Sequence, residues 1–207
     1  MKALITFTEP CLGTLSGDKK LAEDYILAKH PGGISKEEQE AQQNVEEVTE
    51  KASTIFARAA NGLPMLWDYH IKGFFKEACE AMINTETMTK EELKKFRLTA
   101  YLYKKTIDKQ VFVTPRQIHL VTPGDCDPAN LPFTERPLRG QTMRGERIAL
   151  ARSETVPEGT KIQIETICMN KKLEDFIKRW LTYGALSGLG QWRNSGMGRF
   201  SWEELIS

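Results

Sequence analysis

The chain has 207 residues, is 40% hydrophobic and carries a formal net charge of +1. That suffices for one sizeable domain with a real core. It excludes a global electrostatic pull toward nucleic acid or membrane, so any anion-binding surface must be local. No apolar run approaches the ~20 residues of a membrane helix. The four cysteines share no C-x-x-C spacing, and the N-terminus begins directly with a strand pattern. A cytoplasmic protein with reduced thiols is therefore expected.

Lys2 to Thr8 alternates, with Ala3, Ile5 and Phe7 on one side, and reads as a central strand. Leu15 to Tyr25 is a mixed connector, and His30-Pro31-Gly32-Gly33 is a break. Ser35, with Glu38 three residues on, caps a polar helix from Lys36 to about Lys51. Thr54 to Trp67 reads as a hairpin turning at Asn61-Gly62, with Ile55 and Phe56 in one arm. Asp68 then caps a helix with a stripe of Ile71, Phe74, Phe75, Ala78 and Met82. Gly73 inside that helix predicts that something packs very close there. A second helix, capped by Thr89 with Glu92, is expected to run to about Thr106.

Gln110 to Val121 reads as a strand that Pro115 confines in part to an edge or bulge. A loop rich in proline and aspartate leads to Arg136–Arg152, where five arginines face a single acid, Glu146. Gly140 and Gly145 predict patchy regular structure there, in a protruding hairpin. Glu154 to Gly159 reads as a turn. Thr160 to Met169 alternates as a strand, and Leu173, Phe176, Ile177, Trp180 and Leu181 mark a second core helix. Gly188, Gly190, Gly196 and Gly198 then flank Trp192, Arg193 and Asn194 before a last strand with Phe200 and Trp202. Stripped of insertions, the order is strand, helix, strand, strand, helix, strand. The fold class expected is α+β with a ferredoxin-like core, both helices on one face of an antiparallel sheet.

Three stretches, in this order, carry a family resemblance. Leu63–Ala78 is a proline-led entry to a helix start with Lys72-Gly73, Gly145–Glu165 leads through a Val156–Thr160 turn, and Gly188–Phe200 is glycine-rich. Together they resemble the RAMP superfamily of CRISPR proteins, above all the repeated backbone subunit of class 1 effector complexes. With Tyr69-His70 where that family has two serines, the chain is similar to phage-encoded proteins of this kind. The resemblance implies one RAMP-like domain over 1–207. An inserted helical and hairpin segment spans 15–67, and an arginine-rich thumb hairpin spans 134–159. It also implies an RNA partner and homo-oligomers assembled along the strand.

The residues themselves allow two readings of the glycine loop: a tight structural turn, or a cradle for phosphates. Arginine's planar fork suits phosphates, and a helix start such as Lys72's favours anions. The nucleic-acid-binding set is thus Lys72, Arg136, Arg139, Arg144, Arg147, Arg152, Gly188, Gly190, Trp192, Arg193, Asn194, Gly196 and Gly198. Trp192 would stack a base; Trp67 and Trp180 are expected in the core. The partner is nucleic acid, RNA in preference to DNA, or a nucleotide. Two other functions stay open: a metal-independent endoribonuclease using His30 or Tyr25, and a phage anti-defence protein that sequesters a nucleotide signal. His70 and His119 read as structural. Glu23, Asp24, Asp125 and Asp127 read as turn residues. No metal or cofactor is expected.

Overall fold

The alternation at the N-terminus forms β1 (Lys2–Phe7), which buries Ala3, Ile5 and Phe7. β1 pairs antiparallel with β11 (Lys161–Cys168) on one side and with β12 (Phe200–Leu205) on the other. β7 (Val111–Thr114) closes the sheet beyond β11, giving the order β12-β1-β11-β7. The computed structural model describes residues 1–16, 53–142 and 145–205, and over 138–142 and 145–150 it describes the backbone.

α1 (Asp68–Asn84) and α4 (Glu174–Ser187) bury the two stripes that the sequence marks. The Phe75 and Trp180 rings meet at 5.7 Å, and Phe74 meets Phe200 of β12 at 5.4 Å. Both helices therefore cover the same face, and one cluster joins them to Ala3, Ile5, Ile162 and Ile164. Each such side chain taken from water contributes about 1.5–3 kcal/mol. A central first strand, two helices on one face and this strand order make the core ferredoxin-like.

The expected long second helix is two short ones. α2 (Lys90–Lys95) starts at the Thr89–Glu92 capping box and stops at Phe96. Arg97 adopts φ 55°, its N–H donates to the Lys94 carbonyl, and the Leu98 N–H reaches back to Leu93. That is a Schellman stop with arginine at the left-handed position, and buried Leu98 holds it down. α3 (Tyr103–Gln110) follows after a turn. The strand expected at Gln110–Val121 divides at Pro115 into edge strand β7 and β8 (Gln117–His119), which belong to different sheets. Thr114-Pro115 is cis.

A second sheet runs β2-β10-β4-β3, from β2 (Cys11–Leu12), β10 (Gly145–Val156), β4 (Ser53–Ile55) and β3 (Leu15–Ser16). β9 (Phe133–Thr142) pairs with β10 without interruption from Gly145↔Thr142 to Glu154↔Phe133. The backbone there is regular despite Gly140 and Gly145, because a two-stranded ladder needs only paired amides and carbonyls, which glycine supplies. The predicted turn at Glu154 is likewise strand: β10 continues to Val156, and the turn lies at 157–160. A third, small sheet orders β5 (Ala57–Arg58), β6 (Pro64–Trp67) and β8. Its β5–β6 hairpin does turn through Asn61-Gly62, but Ile55 belongs to β4, which pairs in parallel with β10.

Tyr25, His30, Glu23, Asp24, Arg144 and the helix expected from Lys36 lie outside the described residues. Among the described residues no helix is long and apolar enough to cross a membrane.

Candidate functional site

Between α4 and β12 the chain folds back through Gly188–Gly198. Two glycines show why. A Cβ on Gly198 (φ 71°) would strike the Leu189 carbonyl, and one on Gly190 (φ 82°) would meet the Leu12 carbonyl at 2.7 Å. The loop thus packs against itself and against β2, and these glycines are first of all structural. The amides of Leu189, Ser195, Gly196 and Met197 bond within the loop, that of Gly188 donates to the Gly184 carbonyl of α4, and that of Gly198 donates to the Pro10 carbonyl. Among the described residues, the N–H groups of Gly190, Gln191, Trp192, Arg193 and Asn194 make no hydrogen bond. Trp192 sits at φ 62°, an outlier for a bulky side chain.

The arginine hairpin meets this loop. The Arg136 guanidinium stacks over the Trp192 ring, 3.6 Å from its centre. Arg136 Nε and Trp192 Nε1 are buried and, among the described residues, have no hydrogen-bond partner. Burial lowers the Arg136 pKa, yet arginine stays charged. A cation is therefore held on an aromatic face with donor capacity to spare. Arg152 stacks on Phe133 at 4.4 Å and faces Glu135 at 3.6 Å, so it belongs to the hairpin's own surface. Arg139 and Arg147 occupy the hairpin backbone opposite Ile148 and Gly140.

Next to the loop lies a cleft of about 600 Å³ between the first turns of α1 and Leu189–Arg193. It brings Lys72, Gly190 and Arg193 together from distant parts of the sequence. Its charges are matched. Arg193 pairs with Glu77, and Lys76 pairs with the Asp108 carboxylate at 2.6 Å. Lys72 donates to the Asp108 carbonyl at 3.2 Å and lies 5.1 Å from the Phe112 ring centre. Gly73 is exposed, and among the described residues a Cβ there would meet nothing within 4 Å. Among the described residues nothing supplies the close packing expected at Gly73, and the glycine lines the cleft.

Sequence reasoning missed what roots the hairpin. Glu154 of β10 is 1% exposed and accepts from the Phe56 N–H at 2.8 Å. It also pairs with Arg58, itself 7% exposed, whose guanidinium donates to the Pro128 carbonyl at 2.7 Å. Burial pushes the Glu154 pKa up, while Arg58 and the Phe56 N–H pull it down. No local pattern announces this pair, whose members stand 96 residues apart.

The remaining candidates have structural roles. His70 Nδ1 accepts from the Trp67 N–H at 3.2 Å, which leaves Nε2 to face Thr14 Oγ1 at 3.3 Å. Asp127 accepts from Ala129 N–H and the Asn130 amide, an Asx-type turn. Trp67 and Trp180 are buried in the core. Burial pushes the Cys11 and Cys79 thiols up to about 12, so neither offers a thiolate at neutral pH. All four cysteines are free. Among the described residues no group of acids, histidines and cysteines is placed to hold a metal.

Among solved structures, the chain is similar to one in a type III-B Cmr-beta complex, seen by cryo-EM bound to cognate target RNA. The TM-score is 0.53 and the identity 13%, over 99% of this chain and 58% of that one. The likeness is one of fold. This chain thus spans little more than half of that neighbour's length. A type IV-B CRISPR complex follows at TM-score 0.49 and 12% identity, over 100% of this chain and 90% of that one. Cmr6 from Pyrococcus furiosus follows at 0.47 and 10%, over 97% and 96%. No protein-family model and no curated protein matches the chain.

Proposed function

We propose that this chain is a RAMP-like RNA-binding protein that holds single-stranded RNA by its phosphates and lines up along it with further copies. The observation that carries this reading is Arg136 on Trp192. It joins the arginine hairpin to a loop whose amides at Gly190–Asn194 make no hydrogen bond among the described residues. Among the described residues that cation has no acidic partner, and a cation beside open N–H groups is the chemistry that phosphate oxygens satisfy. The ferredoxin-like fold, shared with a subunit of a complex bound to target RNA, fits the same reading.

The hairpin arginines supply a local field, since the chain as a whole carries only +1. Arg139, Arg144 and Arg147 then contact phosphates along with Arg136, while Arg193 and Lys72 act at the rim of the cleft. Base identity is not read by such contacts.

The test is fluorescence anisotropy with labelled single-stranded RNA and the matching DNA across a salt series, with EDTA present. The reading expects intact RNA, binding that weakens steeply with salt, and complexes that grow with RNA length. Cleaved RNA would favour a nuclease. Absence of RNA binding, with calorimetric binding of a free nucleotide, would favour sequestration of a nucleotide signal.

A further inference from the structure

The cleft beside the loop has an unexplained glycine and the wrong electrostatics for a phosphate. Gly73 stands well inside α1, where glycine costs about 1 kcal/mol relative to alanine. Such a cost is normally offset by a neighbour that needs the space. Among the described residues nothing approaches within 4 Å of a Cβ built there, and the residue faces the cleft. Among the described residues the space left by the missing side chain is open to a group that enters from outside.

The lining says what that is. Two of its cations, Arg193 and Lys76, are already neutralised by Glu77 and Asp108. A phosphate placed inside the cleft would face those carboxylates, and the cation left to it, Lys72, stands at the rim. A flat, neutral group with hydrogen-bonding edges meets no such repulsion. Leu66, Phe74 and Leu189 offer it apolar contact, and Glu77 offers carboxylate oxygens to an amino or imino N–H. A volume of about 600 Å³ is ample for one nucleobase with its sugar.

We infer that the cleft is a nucleobase pocket. It takes one base of the bound strand against Gly73, while the phosphates stay outside on Arg136 and the loop amides. This rests on the RNA-binding reading and adds to it the group that enters the cleft.

The experiment compares the full chain with its Gly73→Leu variant on two labelled probes: an oligoadenylate, and the matching ribose-phosphate oligomer without bases. Leucine has a better helix propensity than glycine and fills open space, so Tm should not fall. Gly73→Leu should weaken oligoadenylate binding at least about tenfold and leave the base-free oligomer unchanged. Gly73→Ala should lose less. In the wild-type chain, adenosine should shift the NMR amide signal of Gly73, and ribose 5-phosphate should not. Unchanged oligoadenylate affinity in Gly73→Leu would overturn the inference, as would an equal loss on both probes. Failure of the wild-type chain to bind either probe would overturn the RNA reading itself, and this inference with it.

Discussion

The two larger sheets both bury apolar side chains, Cys11, Leu12, Leu15, Ile55 and Val156 in the second, but the second adds a buried ion pair with hydroxyls around it. The four-stranded sheet buries Ala3, Ile5, Phe7, Ile162, Ile164 and Phe200 under two helices, and its cohesion is apolar area. The sheet at the hairpin's root buries Ser53, Ser153, Glu154 and Thr155, with Arg58 beside them. Thr54 and Ser153 hydroxyls meet at 2.7 Å there, and Thr155 donates to Thr134 at 2.8 Å. Apolar packing is non-directional and absorbs small changes in part. A buried polar network fails when one member is removed, because its partner is left charged or unbonded in a dry place. The scaffold is thus tolerant, and the segment that carries the arginines is positioned by specific bonds.

The largest expected effect tests that contrast directly. Glu154→Ala leaves Arg58 buried without its carboxylate and should cost about 3–5 kcal/mol in chemical denaturation. Replacing both partners, Arg58→Met with Glu154→Leu, should recover most of the loss, since desolvation offsets much of what a buried pair contributes. A double variant as unstable as the single one would break the comparison.

A smaller effect belongs to the functional surface. Arg136→Ala with Arg147→Ala should weaken RNA binding at least about tenfold, ~1.4 kcal/mol, while the protein stays folded and loses only the stability of the Arg136–Trp192 stacking. On the apolar side, Ile164→Val removes one buried methylene and should cost only about 0.5–1.5 kcal/mol, with RNA affinity unchanged. A loss of RNA binding there would mean that the core and the hairpin are mechanically coupled.

The smallest effect is at the α2 cap and depends on pH. Glu92 is held below its ordinary value, chiefly by the Thr89 N–H and then by the Thr89 hydroxyl. A depressed folded pKa gives stability that is present above the ordinary carboxylate value and is lost as pH falls through the depressed one. Thr89→Ala should therefore lower Tm slightly at neutral pH, and the difference from wild type should shrink in acid. A gap that widens in acid would contradict the capping assignment.

The ferredoxin-like core was legible because its signals are local. Alternation in Lys2–Phe7 and stripes of period 3.6 in α1 and α4 report burial residue by residue. The second sheet was not, because β4 pairs with β10 across about a hundred residues and neither strand shows its partner. Arg97 was illegible as a helix stop, since arginine seldom takes a left-handed φ. Of the candidate site, the sequence marked Lys72, Arg136, Trp192 and Arg193 but not their grouping. Only the fold puts Arg136 on Trp192 and sets Arg193 in one cleft with Lys72. Among the described residues it also leaves Gly73 open to the cleft where the sequence suggests close packing.

The most direct test of the central claim is the salt dependence of single-stranded RNA binding by wild type and by the Arg136→Ala, Arg147→Ala double variant. If the hairpin holds phosphates, the slope of log affinity against log salt should fall by roughly 0.7 for each phosphate no longer neutralised. Affinity should drop at least about tenfold, and both proteins should stay folded, with stability lowered only by the lost Arg136–Trp192 stacking, about 0.5–2 kcal/mol. An unchanged slope and affinity would contradict the account, as would a loss of binding that merely follows unfolding.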